Sequence, residues 1–176
     1  MPLVKANDIH LFYETHGDPN ADSLLLICGV GQWRASWWRN VGPLAEHFHV
    51  ITFDNRGIGD SDKPDAPYSL DMLAEDALGL LDALEIERAH VFGHSLGGGI
   101  ALFMARKQPQ RVASLLLAST LYWGPKVTMP SARAMQALQD RSGDPLELVK
   151  RGTRIAPAEG FEARDPQGFQ RLIDRA

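Results

Sequence analysis

The chain has 176 residues, of which 44% are hydrophobic and 23% charged, and these proportions indicate a globular protein and exclude a disordered one. The formal net charge of −4 excludes a basic surface for nucleic acid, so we expect no nucleic-acid partner. The longest apolar runs are too short to span a bilayer and no signal-like leader opens the chain, so we expect a cytoplasmic protein without a membrane partner.

Strand and helix patterns alternate from the start of the chain to about residue 118. Residues 9–14 alternate apolar and polar side chains, which predicts a strand that pairs with residues 3–6 as an edge hairpin. Continuous apolar runs are typical of buried parallel strands, and helical spacing of apolar residues indicates the segments between them. The predicted parallel strands are residues 23–28, 49–53, 90–92 and 112–118, and the predicted helices are residues 35–48, 70–84 and 96–107. This order predicts an α/β fold with a mostly parallel sheet and helices on both faces.

The pattern changes near Tyr122, after which no further buried strand is predicted. Polar, arginine-rich helices are predicted here, separated by Gly-Asp-Pro, Ala-Pro-Ala and Arg-Asp-Pro breaks: residues 131–140, 145–154 and 166–175. We therefore divide the chain into an α/β core, residues 1–121, and a helical region, residues 122–176.

The turn after residues 90–92 carries the strongest chemical signal. Gly93-His94-Ser95-Leu96-Gly97 fits the G-x-S-x-G pattern, in which a serine lies at the tip of a strand–turn–helix unit. Glycines two residues before and after the serine avoid clashes with neighbouring backbone, and the helix behind it directs N–H groups toward the reacting centre. The pattern predicts that Ser95 is a nucleophile, and a glycine-rich turn with a capping serine is the alternative.

Two further glycine-bearing loops follow predicted strands, at residues 29–31 and 54–62. Sites in parallel sheets lie at the carboxyl ends of the strands, so we expect these loops and Ser95 to form one site. For Asp54 and Arg56 we favour an Asp–Arg interaction that holds the loop over a catalytic role.

Two cofactor-binding motifs are each excluded because one required residue is missing. A dinucleotide-binding fingerprint at residues 29–34 lacks its third glycine, because Arg34 stands there, and a phosphate-binding loop at residues 93–99 lacks a lysine. We expect no cofactor and no metal.

Together the three loops, residues 28–31, 54–62 and 93–98, resemble the N-terminal part of the α/β-hydrolase superfamily over residues 9–120. The similarity is greatest to the serine esterase and 3-oxoadipate enol-lactonase branch, which has a helical cap after its sixth strand. The resemblance implies that Ser95 is the nucleophile and that the backbone N–H groups of Val30 and Leu96 form the oxyanion hole. It also implies that residues 122–176 are the start of the cap. A serine at this position excludes the epoxide hydrolase and haloalkane dehalogenase branches, which need an aspartate there.

The substrate pocket is assigned to Gly29, Trp33 and His94. For the tryptophans that follow the oxyanion loop, pocket lining and core packing are equally open alternatives. Cys28, the single cysteine, stands where many relatives have histidine, and we expect a small buried residue, not a nucleophile.

The catalytic triad is the main departure from the family. In this fold an acid and then a histidine follow the serine, whereas all six histidines of this sequence precede Ser95. We expect that the triad acid and histidine are missing, that the chain is part of a longer hydrolase, and that its serine alone is weakly reactive. Residues 112–118 would then form an exposed apolar edge, which predicts a homodimer or binding of a complementing piece.

The sequence thus predicts a serine hydrolase that acts on a small-molecule carboxylic ester or lactone through an acyl-enzyme on Ser95. Three alternatives stay open: hydrolysis of a carbon–carbon bond, cofactor-free peroxidase chemistry, and ligand binding without catalysis.

Overall fold

The computed structural model describes residues 2–120, 136, 161–167 and 170. The chain divides into two compact units, Met1–Gly124 and Pro125–Ala176. The strands of the first unit are β1 (Leu3–Ala6), β2 (Ile9–His16), β3 (Ser23–Ile27), β4 (His49–Phe53), β5 (Ala89–His94) and β6 (Val112–Ala118). Its α-helices are α1 (Trp38–Ala45), α2 (Leu70–Ala83) and α3 (Leu96–Lys107).

The six strands form one sheet in the order β1-β2-β4-β3-β5-β6. The predicted edge hairpin is confirmed, since β1 pairs antiparallel with β2, and β2 continues antiparallel onto β4. The other neighbours, β3 with β4, β3 with β5 and β5 with β6, are parallel. The predicted mostly parallel sheet is therefore confirmed.

Alternation along the central strand β3 divides the core between the two faces of the sheet. Leu25 and Ile27 pack in the cluster that includes the apolar residues of α2 and α3. Leu24 and Leu26 pack in the opposite cluster with Trp37, against the apolar side of α1. Because these leucines are almost fully buried, each contributes about 1.5–3 kcal/mol of transfer free energy to folding. Helices thus cover both faces of the sheet, as predicted.

The first helix differs from its prediction over residues 35–48. A 3-10 turn, Arg34–Trp37, precedes α1, and α1 ends at Ala45. No side chain caps either segment at its start, and Pro43 inside α1 has no N–H with which to bond the carbonyl four residues before it. The apolar spacing that predicted one long helix therefore covers two shorter ones.

The second unit contains a short helix, α4 (Phe161–Arg164), and residues 166, 167 and 170 are also helical. Residue 136, within the predicted helix over residues 131–140, is also helical. The rest of that predicted helix, the one over 145–154 and most of the one over 166–175 lie outside the described residues. The predicted boundary at residues 121/122 lies outside them too and stays a prediction. None of the helices that the structure describes is both long and apolar enough to cross a membrane.

Candidate active site

The loops that follow β3, β4 and β5 lie at one edge of the sheet because these neighbouring strands are parallel. The loop after β3 reaches the loop after β4, where the Arg34 N–H donates to Asp54 Oδ1 at 2.8 Å. It also reaches the serine turn, where a Cβ atom built on Gly29 would lie 3.1 Å from Cβ of Ser95. The loop after β3 therefore contacts both the loop after β4 and the turn that holds Ser95.

Ser95 is the residue between β5 and α3, and its backbone is in an unusual conformation with φ 53° and ψ −116°. A side chain at positive φ is strained, and such strain often marks a functional turn. Neighbouring backbone holds the turn: the Ser95 N–H donates to the Ala118 carbonyl at 2.9 Å, and the Ser95 carbonyl accepts from Thr120 Oγ1 at 2.6 Å. The strain is thus maintained by the end of β6.

Gly93 and Gly97 are required by close approach on both sides of the serine. A Cβ at Gly93 would collide with the backbone of Gly97, and a Cβ at Gly97 would collide with the carbonyl of Ile27. The turn can therefore bring α3 against the ends of β3 and β5 only with glycine at both positions.

The predicted oxyanion donors lie on the two segments beside Ser95. Leu96 is the first residue of α3, so its N–H has no acceptor within the helix, and it lies at the positive end of the helix dipole. Within the described part of the chain, the N–H groups of Val30 and Leu96 make no hydrogen bond. The Gly29 N–H, in contrast, donates to Gln32 Oε1 at 3.1 Å. The two predicted donors are thus available to a ligand in this part of the structure.

The predicted pocket residues have different surroundings. Gly29 is buried beside Ser95, and the half-buried His94 has its Nδ1 2.9 Å from Gln32 Oε1. The Trp33 ring is 45% exposed, with the Arg34 guanidinium 5.1 Å from its centroid.

Pocket lining and core packing were both open for the other two tryptophans after the oxyanion loop, and the structure gives the two residues different surroundings. Trp37 is 7% exposed and packs against Phe92 with ring centroids 5.0 Å apart, so it belongs to the core. Trp38 is 49% exposed.

Cys28 directly follows the central strand β3 as a buried thiol, whose Sγ donates to the Trp33 carbonyl at 3.1 Å. Burial raises the pKa of Cys28 from 9.0 to about 12. The thiolate is the nucleophilic form, so Cys28 is inert at neutral pH, in agreement with the expectation of a packing role.

The predicted contact between Asp54 and Arg56 is wrong, because each residue has a different partner. The fully buried Asp54 accepts from Arg34 Nη1 at 2.5 Å and from the Asp60 N–H at 3.0 Å. Arg56 donates from Nε and Nη2 to the two carboxylate oxygens of Asp76 on α2, at 2.5 and 2.6 Å. The planar guanidinium of Arg56 and the carboxylate of Asp76 form a bidentate pair. Asp54 is bound instead by Arg34, from the loop after β3. Both residues hold loops, as predicted, through partners on other elements.

Three residues at the site were missed by the sequence analysis: Gln32, Arg34 as an ion-pair partner, and Thr120 as a donor to Ser95. Single polar residues in loops carry no periodic signal, so only their position next to a motif could have indicated them. In the part of the chain that the structure describes, no three histidine, cysteine, aspartate or glutamate side chains are grouped to hold a metal ion.

Comparison with known proteins decides the family. The pattern of the alpha/beta hydrolase fold matches residues 22–167 of this chain. The chain belongs to the alpha/beta hydrolase family. The enol-lactonase of Burkholderia xenovorans is a structural neighbour, with a TM-score of 0.80 and 27% identity over 98% of this chain and 66% of that one.

Two sequence relatives in the alpha/beta hydrolase family have known names. The protein called "Putative carbamate hydrolase RutD" of Variovorax paradoxus is 40% identical over 129 residues, 72% of this chain and 47% of the relative. The 2-hydroxymuconate semialdehyde hydrolase of a Pseudomonas species is 36% identical over 173 residues, 86% of this chain and 61% of the relative. The chain thus spans about half the length of one relative and under two thirds of the other.

Proposed function

We propose that this chain carries the nucleophile and the oxyanion hole of a serine hydrolase whose substrate is a small-molecule carboxylic ester or lactone. The observation that carries the proposal is the placement of Ser95 at a strained turn with φ 53°, between the N–H of Leu96 and the glycine loop after β3. This arrangement offers an oxygen nucleophile and two backbone donors to one acyl group.

The proposed reaction proceeds in two steps. Ser95 Oγ attacks the acyl carbon and loses its proton to a general base, and the charge that develops on the carbonyl oxygen is stabilised by the N–H groups of Val30 and Leu96. The carbon–oxygen bond to the leaving group then breaks, that group takes the proton, and Ser95 remains acylated. Water repeats the attack, which releases the acid and restores the hydroxyl. Each backbone donor contributes a factor of about 10²–10³ to the rate.

Ser95, Val30 and Leu96 do not supply the general base that the proposed reaction needs. All six histidines precede Ser95 in the sequence, and the nearest in sequence, His94, is bonded to Gln32 through Nδ1. We therefore assign the nucleophile and the oxyanion donors to this chain and assign the base to none of its residues.

Hydrolysis of a carbon–carbon bond is the second candidate. It is favoured by the 36% identity to the 2-hydroxymuconate semialdehyde hydrolase, which extends over 86% of this chain. Esters, lactones, carbamates and the carbon–carbon substrates of such enzymes all present a carbonyl carbon to the nucleophile and differ in the leaving group. The same Ser95 and oxyanion donors fit each of them.

A fluorophosphonate probe tests the nucleophile, because it forms a covalent bond with activated serines. We expect the wild-type chain to be labelled slowly, because none of its residues is assigned as the base, and Ser95→Ala to lose the label entirely. Ser36→Ala is the matched control, since Ser36 is exposed in the 3-10 turn, and it should label like the wild type. Labelling that persists in Ser95→Ala would place the nucleophile elsewhere. A folded wild-type chain that takes no label would favour ligand binding without catalysis.

A further inference from the structure

One side-chain oxygen connects the glycine loop after β3 to the serine turn. Gln32 Oε1 accepts the Gly29 N–H at 3.1 Å and lies 2.9 Å from His94 Nδ1. The Gln32 backbone N–H in turn donates to the Gly29 carbonyl at 3.2 Å. Gln32 therefore closes its own loop and binds it to the residue that precedes Ser95.

These contacts fix the orientation of the amide and the tautomer of the imidazole. The atom that accepts the Gly29 N–H must be the oxygen, because the amide nitrogen of glutamine only donates. The same oxygen faces His94 Nδ1, so that nitrogen must carry a proton. In the neutral ring of His94 the proton is thereby held on Nδ1, and Nε2 carries none.

The ends of the glycine loop are anchored by the bonds of Cys28 to Trp33 and of Arg34 to Asp54, whereas its tip has little packing of its own. Gly31 is at φ 70°, and the side chain of Val30 is 67% exposed, so packing contributes little to the position of this segment. Fixing the Gly29 peptide also restricts the Val30 peptide, which follows it directly. The loop lies close to Ser95, since a Cβ built on Gly29 would lie 3.1 Å from the Ser95 Cβ, so a small movement would change the distance from the Val30 N–H to a bound oxyanion.

We propose that Gln32 is a positioning residue: its side-chain oxygen locks residues 29–31 to His94 and thereby aims the Val30 N–H at the oxygen of a substrate on Ser95. The catalytic consequence rests on the proposed function, whereas the lock itself does not. A misplacement of about 1 Å in such a donor can lower a rate by about 10²-fold.

Two substitutions in the full chain distinguish the loss of the hydrogen-bond acceptor of Gln32 from a change in the size of its side chain. Gln32→Leu keeps a side chain of similar volume and removes the acceptor, and Gln32→Glu keeps an acceptor oxygen. The control is Gln110→Leu, at an exposed glutamine between α3 and β6.

The first measurement tests the lock without any activity. Nitrogen-15 NMR of the His94 ring should show the Nδ1–H tautomer in the wild type, in Gln32→Glu and in Gln110→Leu, and the Nε2–H tautomer in Gln32→Leu. Hydrogen exchange of the Gly29 N–H should be faster in Gln32→Leu by about tenfold or more, because that amide loses its acceptor. An unchanged tautomer and unchanged exchange in Gln32→Leu would overturn the proposal.

The second measurement is the rate of fluorophosphonate labelling at Ser95. We expect Gln32→Leu to react about 10–100-fold more slowly than the wild type, and Gln32→Glu to recover most of the rate. Normal labelling of Gln32→Leu, with its tautomer changed, would overturn the positioning role. If the wild type itself takes no label, the proposed function fails and the catalytic consequence with it, while the NMR measurements still decide whether the lock exists.

Discussion

Ser95 keeps its hydroxyl at the tip of the turn at a conformational cost. A residue with a side chain at positive φ costs on the order of 1–3 kcal/mol. The bonds of its N–H to Ala118 and of its carbonyl to Thr120 offset part of that cost, since each hydrogen bond contributes about 0.5–1.5 kcal/mol. The serine is thus held by the end of β6, a segment far from it in sequence, and its geometry depends on the whole sheet.

Gly97→Ala should destabilise the first unit because the new Cβ would meet the backbone carbonyl of Ile27, which cannot move aside as a side chain can. We expect a loss of about 1–3 kcal/mol in the free energy of unfolding. Gly99→Ala in the same helix is the matched control: its new Cβ would lie 3.4 Å from the Leu70 side chain, an ordinary contact, and the change should stabilise α3 by about 0.5–1 kcal/mol. Urea titrations followed by tryptophan fluorescence measure both. Equal midpoints for the two variants would contradict the close approach of α3 to β3.

The Cys28 thiol should resist alkylation while the chain is folded. Its pKa is raised by burial from 9.0 to about 12, so at pH 9 about one thiol in a thousand is ionised in the folded chain, against half in the unfolded chain. Mass spectrometry after iodoacetamide treatment at pH 9, with and without urea, should show a rate difference of about 10³-fold. The folded chain keeps this proton from pH 9 to about 12 while the unfolded chain releases it, so the free energy of unfolding should fall as the pH rises through that range. Cys28→Ala should remove the part of this pH-dependent decline that is due to the thiol. Rapid alkylation of the folded protein would contradict the prediction, because it would show that the thiol is accessible.

Most elements could be predicted from the sequence because their patterns are local. Residues 49–53, 96–107 and 112–118 match β4, α3 and β6 in the structure. The contacts between elements were not predictable in this way. Asp76 lies in an amphipathic helix, where a charged residue usually indicates the solvent side, yet it is 1% exposed and binds Arg56. Gln32 likewise carries no pattern, and its role depends on a histidine 62 positions away.

The ion pair between Arg56 and Asp76 joins α2 to the loop after β4. Removing one partner and leaving the other buried should lower the free energy of unfolding. Asp76→Leu leaves the guanidinium of Arg56, which is 5% exposed, without its main partner, and we expect a loss of about 3–5 kcal/mol in the free energy of unfolding. The double variant Arg56→Met/Asp76→Leu should recover much of that loss, because no buried charge remains. Asp71→Leu, at the exposed end of the same helix, should have a small effect. A double variant as unstable as Asp76→Leu would show that packing, not charge, accounts for the loss.

At the scale of the whole sheet, the site depends on contacts between segments that are distant in sequence. The loops after β3, β4 and β5 meet because those strands are parallel neighbours in the order β4-β3-β5. Within the part of the chain that the structure describes, the two edges of the six-stranded sheet differ from each other. β1 has four residues and is antiparallel to its neighbour, whereas β6 has seven and is parallel to β5. Short edge strands are poor templates for further pairing, and long apolar ones are good templates.

The edge strand β6 should therefore mediate association with a second copy of the chain. Leu116 is 58% exposed and Leu117 41% exposed, and within the described residues β6 pairs only with β5. We expect sedimentation velocity to show dimers that increase with protein concentration, and Leu116→Lys to remove them, because a charge on an edge strand opposes pairing. Leu3→Lys is the matched control, since Leu3 is 54% exposed on β1, at the short edge, and it should leave association unchanged. A chain that stays monomeric at every concentration, or dimers that persist in Leu116→Lys and are lost in Leu3→Lys, would contradict pairing through β6. Dimers lost in Leu116→Lys alone would place the interface beside the strand whose end also holds Ser95.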